Sequence, residues 1–149
     1  MNICVIPARG GSKRILGKNI KIFNGKPIIA YSIEAAFKSN CFDQVIVSTD
    51  DDKIAEVAKK YGAQVPFVRP DELSNDYVGT IPVIKHAIEW MEDNVSPIEY
   101  VCCLYATAPF IQSQTISKAY RQFKDLRADY CFSVTSFAFP IQRAIKIVQ

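Results

Sequence analysis

The sequence has a single histidine, His86, and no acidic residue before Glu34. One histidine cannot supply a histidine-rich metal centre. The five cysteines (Cys4, Cys41, Cys102, Cys103 and Cys131) are odd in number, and no two have C-x-x-C spacing. That excludes a fully paired disulfide framework, a zinc ribbon and a thioredoxin-like redox motif. Four of the five fall in expected strands, so they read as reduced core residues of a cytoplasmic protein. No apolar run approaches the roughly 20 residues of a membrane span, and the first residues carry no signal-peptide apolar region. The expected location is therefore the cytoplasm, with no membrane partner. Repeats and low-complexity linkers are also missing. A chain of 149 residues then predicts one domain, large enough to bury about 70% of its unfolded surface.

What is present is unevenly placed. Residues 1–33 carry six basic residues (Arg9, Lys13, Arg14, Lys18, Lys21 and Lys26) and no acid, whereas the remainder has 12 basic and 15 acidic residues. The net charge of +3 thus hides a locally basic N-terminal segment followed by a slightly acidic body. Local positive charge suits a small anion. A nucleic-acid track would need a basic stripe across the surface, so no nucleic-acid partner is expected.

Along the chain, strand and helix patterns alternate. The apolar run 2–7, ended by Pro7, reads as a buried strand, and 44–49 and 99–106 read likewise, the last buried on both faces. Residues 26–40 place Ile29, Ile33, Ala36 and Phe37 on one helical face. Residues 51–62 open with acids and close with lysines and Gly62, which are helix start and stop signals. The stretch 63–70 is extended but interrupted by Pro66, hence short or at an edge. Residues 71–79 read as loop, and 80–94 as a helix with Thr80 a candidate N-cap and Ile81, Ile84, Ile88 and Met91 facing inward. His86 falls off that face and is expected at the surface. A helix over 113–127, facing inward through Ile116, Ala119, Tyr120 and Phe123, and a strand over 129–137 complete the pattern. The apolar and basic segment 140–149 shows no closing helix, and the chain is expected to stop partway through a domain. Strands and helices joined by short connections predict a mostly parallel sheet covered on both faces.

The segment Ile6 to Asn19, IPARGGSKRILGKN, follows the first strand, at the edge where open parallel sheets hold their ligands. It matches neither known glycine motif. Gly10 and Gly11 are adjacent and the next glycine is Gly17, so the dinucleotide spacing G-x-G-x-x-G fails. A P-loop needs glycine where Ser12 stands and a hydroxyl residue where Asn19 stands. The chemistry nevertheless points to phosphate. Glycines let backbone N–H groups close on an anion, Arg9 can fork onto two phosphate oxygens, Lys13 and Lys18 add point charges, and Ser12 offers a hydroxyl. The three aspartates Asp50, Asp51 and Asp52 are explained by helix capping, without a metal.

This segment resembles the signature of the cytidylyltransferases that activate acidic sugars, the CMP–sialic acid synthetases and their relatives. The resemblance continues through KPIIAYSIEAA (26–36), VIVSTDDDKIAEVAKKYGAQVPFVRPDELSND (45–76) and, in a form most similar to the pseudaminic acid branch, ATAPF (106–110) followed by FSVTSFAFPIQRA. It implies a three-layer αβα, Rossmann-like nucleotidyltransferase fold. It also implies transfer of CMP from CTP to the anomeric hydroxyl of a nonulosonic acid, with release of pyrophosphate. The acceptor would be an acidic nine-carbon sugar, and the family tends to homodimers. By position in the motifs, Ala8, Arg9, Gly10, Gly11, Ser12, Lys13, Lys18 and Asn19 would bind the nucleotide, Arg9 and Lys18 being the catalytic pair. Arg69 and Thr80 would read the base, and Tyr105 and Thr107 would border the sugar. Mg²⁺ is implied, with its ligand aspartates expected beyond residue 149. The expected unit is thus 1–149, a single nucleotide-binding α/β domain forming the N-terminal part of such an enzyme. Leu16 departs from the family pattern, which has proline there. The competing readings are transfer to another acidic sugar (sialic acid or 3-deoxy-manno-octulosonate), nucleotide binding without turnover, and nucleic-acid binding by the basic loop.

Overall fold

The structure is a computed structural model and is described over residues 1–136. The segment 140–149, and Phe137 at the end of the last expected strand, lie outside the described residues.

Three parallel strands, β1 (Asn2–Pro7), β4 (Gln44–Ser48) and β5 (Tyr100–Cys103), form a sheet in the order β4-β1-β5. Between β1 and β4 the chain makes a two-stranded ribbon, β2 (Ile22–Phe23) and β3 (Lys26–Pro27), and then helix α1 (Ile28–Ser39). Helices α2 (Asp52–Lys60) and α3 (Thr80–Asn94) connect β4 to β5, and α4 (Ser113–Asp125) follows β5. β1 pairs with Gln44–Ser48 on one side and Tyr100–Cys103 on the other. As the central strand it is covered on both faces, which is why NICVIP is an uninterrupted apolar run.

Alternation along the strands divides the core. Cys4, Ile6, Val45 and Val47 pack with Ile29 and Ile33 of α1, Ile54 and Ala58 of α2 and Ile116 of α4. Ile3, Val5 and Ile46 point the other way, onto Ala87 and Met91 of α3. The result is the expected αβα layering. Burying each of these isoleucines contributes about 1.5–3 kcal/mol. Helix ends follow their local chemistry. Asp51 caps α2 by accepting the Ile54 N–H at 3.0 Å, Lys59 and Lys60 close its last turn, and Gly62 follows at φ 91°.

Several expectations are corrected. On α3 the buried stripe is Val83, Ala87 and Met91, and Ile81 is 82% exposed. Two apolar stripes overlap in this helix, and the one carrying the small Ala87 lets it approach the sheet closely. Thr80 does not cap α3. Gly79 occupies the N-cap position, without a side-chain hydrogen bond. His86 is half-buried, edge-on to Phe67 at 4.8 Å, and its Nδ1 is buried without a partner. Phe37 is half-exposed beside Gly62. On α4 only Ile116 is fully buried, while Ala119, Tyr120 and Phe123 are half-covered.

β5 is shorter than expected and half-buried, because it lies at the edge of the sheet as described. Of the cysteines only Cys4 is buried. Cys41 and Cys102 are half-buried, Cys103 and Cys131 are exposed, and all five thiols are free. Residues 129–136 form no strand. Tyr130, Phe132 and Val134 keep the two-residue period, but no described strand pairs with them, and each is at least 80% exposed. The stretch around Pro66 behaves as read. It runs beside β4 through two isolated bridges, Ile46 to Gln64 and Thr49 to Val68.

Candidate functional site

The carboxyl ends of the parallel strands open onto a cleft of about 640 Å³ of empty space, its solvent-filled mouth included. Eight of the expected residues line it: Arg9, Ser12, Lys18, Asn19, Arg69, Thr80, Tyr105 and Thr107. They come from the loop after β1, the segment after β4, the start of α3 and the turn after β5.

The basic loop is held from within and from β4. Gly17 adopts φ 60°, a left-handed conformation that glycine tolerates, and leads into a short 3-10 turn, Lys18–Ile20. The Asn19 side-chain amide donates to the Arg9 carbonyl at 2.9 Å, and the Ser12 N–H donates to the Gly10 carbonyl at 2.8 Å. Ser12 and Asn19 are buried, whereas Lys13 and Arg14 are exposed. Ala8 is buried and does not line the cleft, and its N–H donates to the Ser48 carbonyl at 2.9 Å.

Gly10 does not play the part expected of it. The Gly10 N–H already donates to Asp50 Oδ1 at 2.9 Å, so it is not free to close on an anion. Gly10 is glycine for space: a Cβ there would sit 2.6 Å from Asp51 Oδ2 and 2.8 Å from Asp51 Cβ. Gly11 has nothing within 4 Å of such a Cβ. Asp51 is the α2 cap and Asp50 the partner of Gly10, so both have structural work. Among the described residues no group of three or more histidine, cysteine or acidic side chains could hold a metal ion.

Arg69 is buried, not a surface arginine. Its backbone N–H donates to the Thr49 carbonyl at 2.8 Å. Its Nε donates to Ser48 Oγ at 3.0 Å, and one terminal nitrogen donates to the Ser48 carbonyl. β4 therefore fixes the plane of the guanidinium and leaves its remaining N–H groups for a ligand. Burial pulls the Arg69 pKa below its ordinary value and Arg9 adds to this, while Asp50 opposes it. A guanidinium is basic enough to keep its proton at neutral pH regardless. Facing Arg69, the Thr80 hydroxyl lies 3.3 Å from the Tyr105 hydroxyl. Tyr105 is tied down in turn by its carbonyl, which accepts from Ser32 Oγ of α1 at 2.8 Å.

One participant was missed by reading the sequence. Asp76, in the loop before α3, bridges Arg9 and Lys13. Its Oδ1 lies 2.6 Å from the Arg9 guanidinium, and its Oδ2 is paired with the Lys13 ammonium. These two cations, Lys13 foremost, hold its carboxyl below the usual carboxylate range. Lys18, by contrast, forms no ion pair among the described residues while lining the cleft. No spacing rule links Asp76 to a loop so distant in sequence. The only available signal was the absence of acids from residues 1–33, which required a countercharge from elsewhere.

The chain is similar to known proteins along most of its length. The family described as Cytidylyltransferase matches residues 3–144. The chain is 50% identical over 143 residues to a pseudaminic acid cytidylyltransferase of Campylobacter jejuni, covering 96% of this chain and 62% of that protein. It is 40% identical over 117 residues to a CMP-N,N'-diacetyllegionaminic acid synthase of Legionella pneumophila, covering 78% of this chain and 50% of that one. Among solved structures it is similar to a CMP:2-keto-3-deoxy-manno-octonic acid synthetase complexed with CTP, with a TM-score of 0.68 and 27% identity. That match covers 85% of this chain and 48% of the other. The chain thus spans less than two thirds of the length of these relatives.

Proposed function

The chain belongs to the cytidylyltransferase family, and on that premise we propose that its cleft binds CTP and transfers CMP to the anomeric hydroxyl of a nonulosonic acid, pseudaminic acid foremost. The observation that carries this reading is the convergence of Arg9, Ser12, Lys18, Asn19, Arg69 and Thr80 on one cleft at the carboxyl edge of the sheet. The 50% identity to a pseudaminic acid cytidylyltransferase supports the choice of acceptor.

The chemistry is substitution at the α-phosphorus. The acceptor's anomeric oxygen forms a bond to phosphorus as the bond to the bridging oxygen breaks. Pyrophosphate leaves, and the hydroxyl proton passes to solvent. Such transfers are accelerated by positioning and by neutralising the charge that builds on the leaving group. Lys18 and Arg9 supply that neutralisation, and the Ser12 hydroxyl donates to a phosphate oxygen. Lys13 adds charge at the mouth, and Ala8, Gly10 and Gly11 shape the floor of the loop. Asn19 holds the Arg9 carbonyl and faces the nucleotide sugar. Arg69, held in plane by Ser48, donates to the cytosine carbonyl, with Thr80 beside it. Tyr105 and Thr107 border the acceptor. A divalent metal, when bound, supplies further neutralisation of phosphate charge. The described residues do not form a site for it, and no step here depends on one. Two copies of the chain are proposed to associate, as the family resemblance implies.

The test is pyrophosphate release on mixing the protein with CTP, Mg²⁺ and each of a panel of sugar acids. Release with pseudaminic acid above that with sialic acid or 3-deoxy-manno-octulosonate is expected. Release with a different acid would reassign the acceptor, a reading that the similarity to a legionaminic acid synthase keeps open. CTP binding without release from any acid would reject turnover and leave a nucleotide-holding protein.

A further inference from the structure

Asp76 is bound to the cations that are assigned to phosphate. One carboxylate oxygen meets Arg9 at 2.6 Å and the other meets Lys13, so a single anion spans both side chains. A phosphate group presents oxygens to a pair of cations in the same way. The position that Asp76 takes is therefore one that a polyphosphate would claim.

The loop that carries Asp76 is closed mainly upon itself. Leu73 N–H donates to the Pro70 carbonyl at 3.0 Å, and Ser74 N–H donates to the Asp71 carbonyl at 3.0 Å. The Ser74 hydroxyl returns to the Pro70 carbonyl, and the Asn75 side chain donates to the Glu72 carbonyl. Asn75 Oδ1 accepts from the N–H groups of Tyr77 and Val78, and so presents Asp76 at the apex. Asp76 is the side chain by which this loop reaches the basic loop. Breaking the two ion pairs would free Arg9 and Lys13 without disturbing the hydrogen bonds that shape the segment.

We propose that Asp76 is a resident competitor for the phosphate cations, holding Arg9 and Lys13 until a nucleotide brings enough negative charge to displace it. Resting on the reading of the cleft as a CTP site, this makes Asp76 a residue that tunes the affinity of the phosphate subsite. A triphosphate brings enough charge to displace one carboxylate from two cations and to reach Lys18 as well. A monophosphate brings little more than Asp76 itself and gains less by exchange. Asp76 would close back on Arg9 and Lys13 as pyrophosphate leaves.

The experiment is calorimetric titration of the wild type, Asp76→Asn and Asp76→Glu with CTP, CMP and inorganic tripolyphosphate at one fixed salt concentration. Exposed ion pairs are weak, so losing the two of them is expected to change affinity roughly two- to thirtyfold. Asp76→Asn is expected to bind CTP and tripolyphosphate more tightly by that factor and CMP by no more, so that the ratio of CTP to CMP affinity holds or rises. Asp76→Glu keeps the charge and is expected to keep the wild-type affinities. Equal or weaker binding by Asp76→Asn, with the wild type binding CTP normally, overturns the competitor role alone. A wild type that binds neither CTP nor tripolyphosphate overturns the nucleotide reading and this inference together.

Discussion

The hydroxyl groups of Thr80 and Tyr105 lie 3.3 Å apart across the cleft. The first begins α3 beside the expected base subsite, and the second ends the segment after β5 beside the expected acceptor subsite. Removing one hydroxyl therefore disturbs both. Tyr105→Phe is expected to weaken acceptor binding and also to relax the preference for CTP over UTP. A neutral hydrogen bond contributes about 0.5–1.5 kcal/mol, so each effect should be no more than about tenfold. Competition titrations with the two nucleotides, with and without the sugar acid, measure this. A change confined to the acceptor would show that the contact carries nothing to the base.

Arg69 is the residue whose loss should be felt most by the base. Its guanidinium is buried and oriented by Ser48, so it meets a cytosine carbonyl without first paying for orientation. Arg69→Ala is expected to reduce CTP affinity by about tenfold to a hundredfold, the range of a charge-assisted hydrogen bond, and to erode discrimination against UTP. Arg69→Lys should not restore it, because an ammonium cannot hold Ser48 and the base in one plane. Full restoration by lysine would show that only charge matters there.

Gly10 and Gly11 are neighbours with opposite tolerances. A methyl group at Gly10 would collide with the Asp51 side chain, which caps α2, whereas Gly11 faces open space. Gly10→Ala is expected to lower the stability of the fold by about 1–3 kcal/mol, as overpacking does. Gly11→Ala should leave it nearly unchanged. Denaturant midpoints of the two variants decide the matter, and equal midpoints would contradict the packing seen at Gly10.

Lys18 and Arg9 differ in their starting state, and their variants should differ too. Lys18 lines the cleft unpaired among the described residues, so Lys18→Ala loses a full contact, about tenfold to a hundredfold in CTP affinity. Arg9 must first leave Asp76, so Arg9→Ala should cost less than Lys18→Ala. Calorimetry at a fixed salt concentration gives both values.

Much of this arrangement was legible from residue order because it is local or periodic. The uninterrupted apolar run of β1 announced a central parallel strand. The basic segment after it marked the loop that lines the cleft, and the placing of Arg69, Thr80 and Tyr105 on the same cleft followed from motif position. What was not legible depends on distant partners. Asp76 meets Arg9 only because the sheet brings their loops together. The role of Gly10 depends on Asp51 approaching from another loop. On α3, periodicity offers two stripes, and only the close approach permitted by Ala87 chooses between them. Over 129–136 the strand pattern is present, but a strand exists only where a neighbouring strand accepts its hydrogen bonds.

The most direct test is a crystal of the protein grown or soaked with saturating CTP. The triphosphate should lie within hydrogen-bond distance of Ser12, Lys18 and Arg9, with the cytosine against Arg69 and Asp76 displaced from Arg9. Nucleotide bound elsewhere, or a cleft that stays empty with Arg9 still on Asp76, would contradict the account.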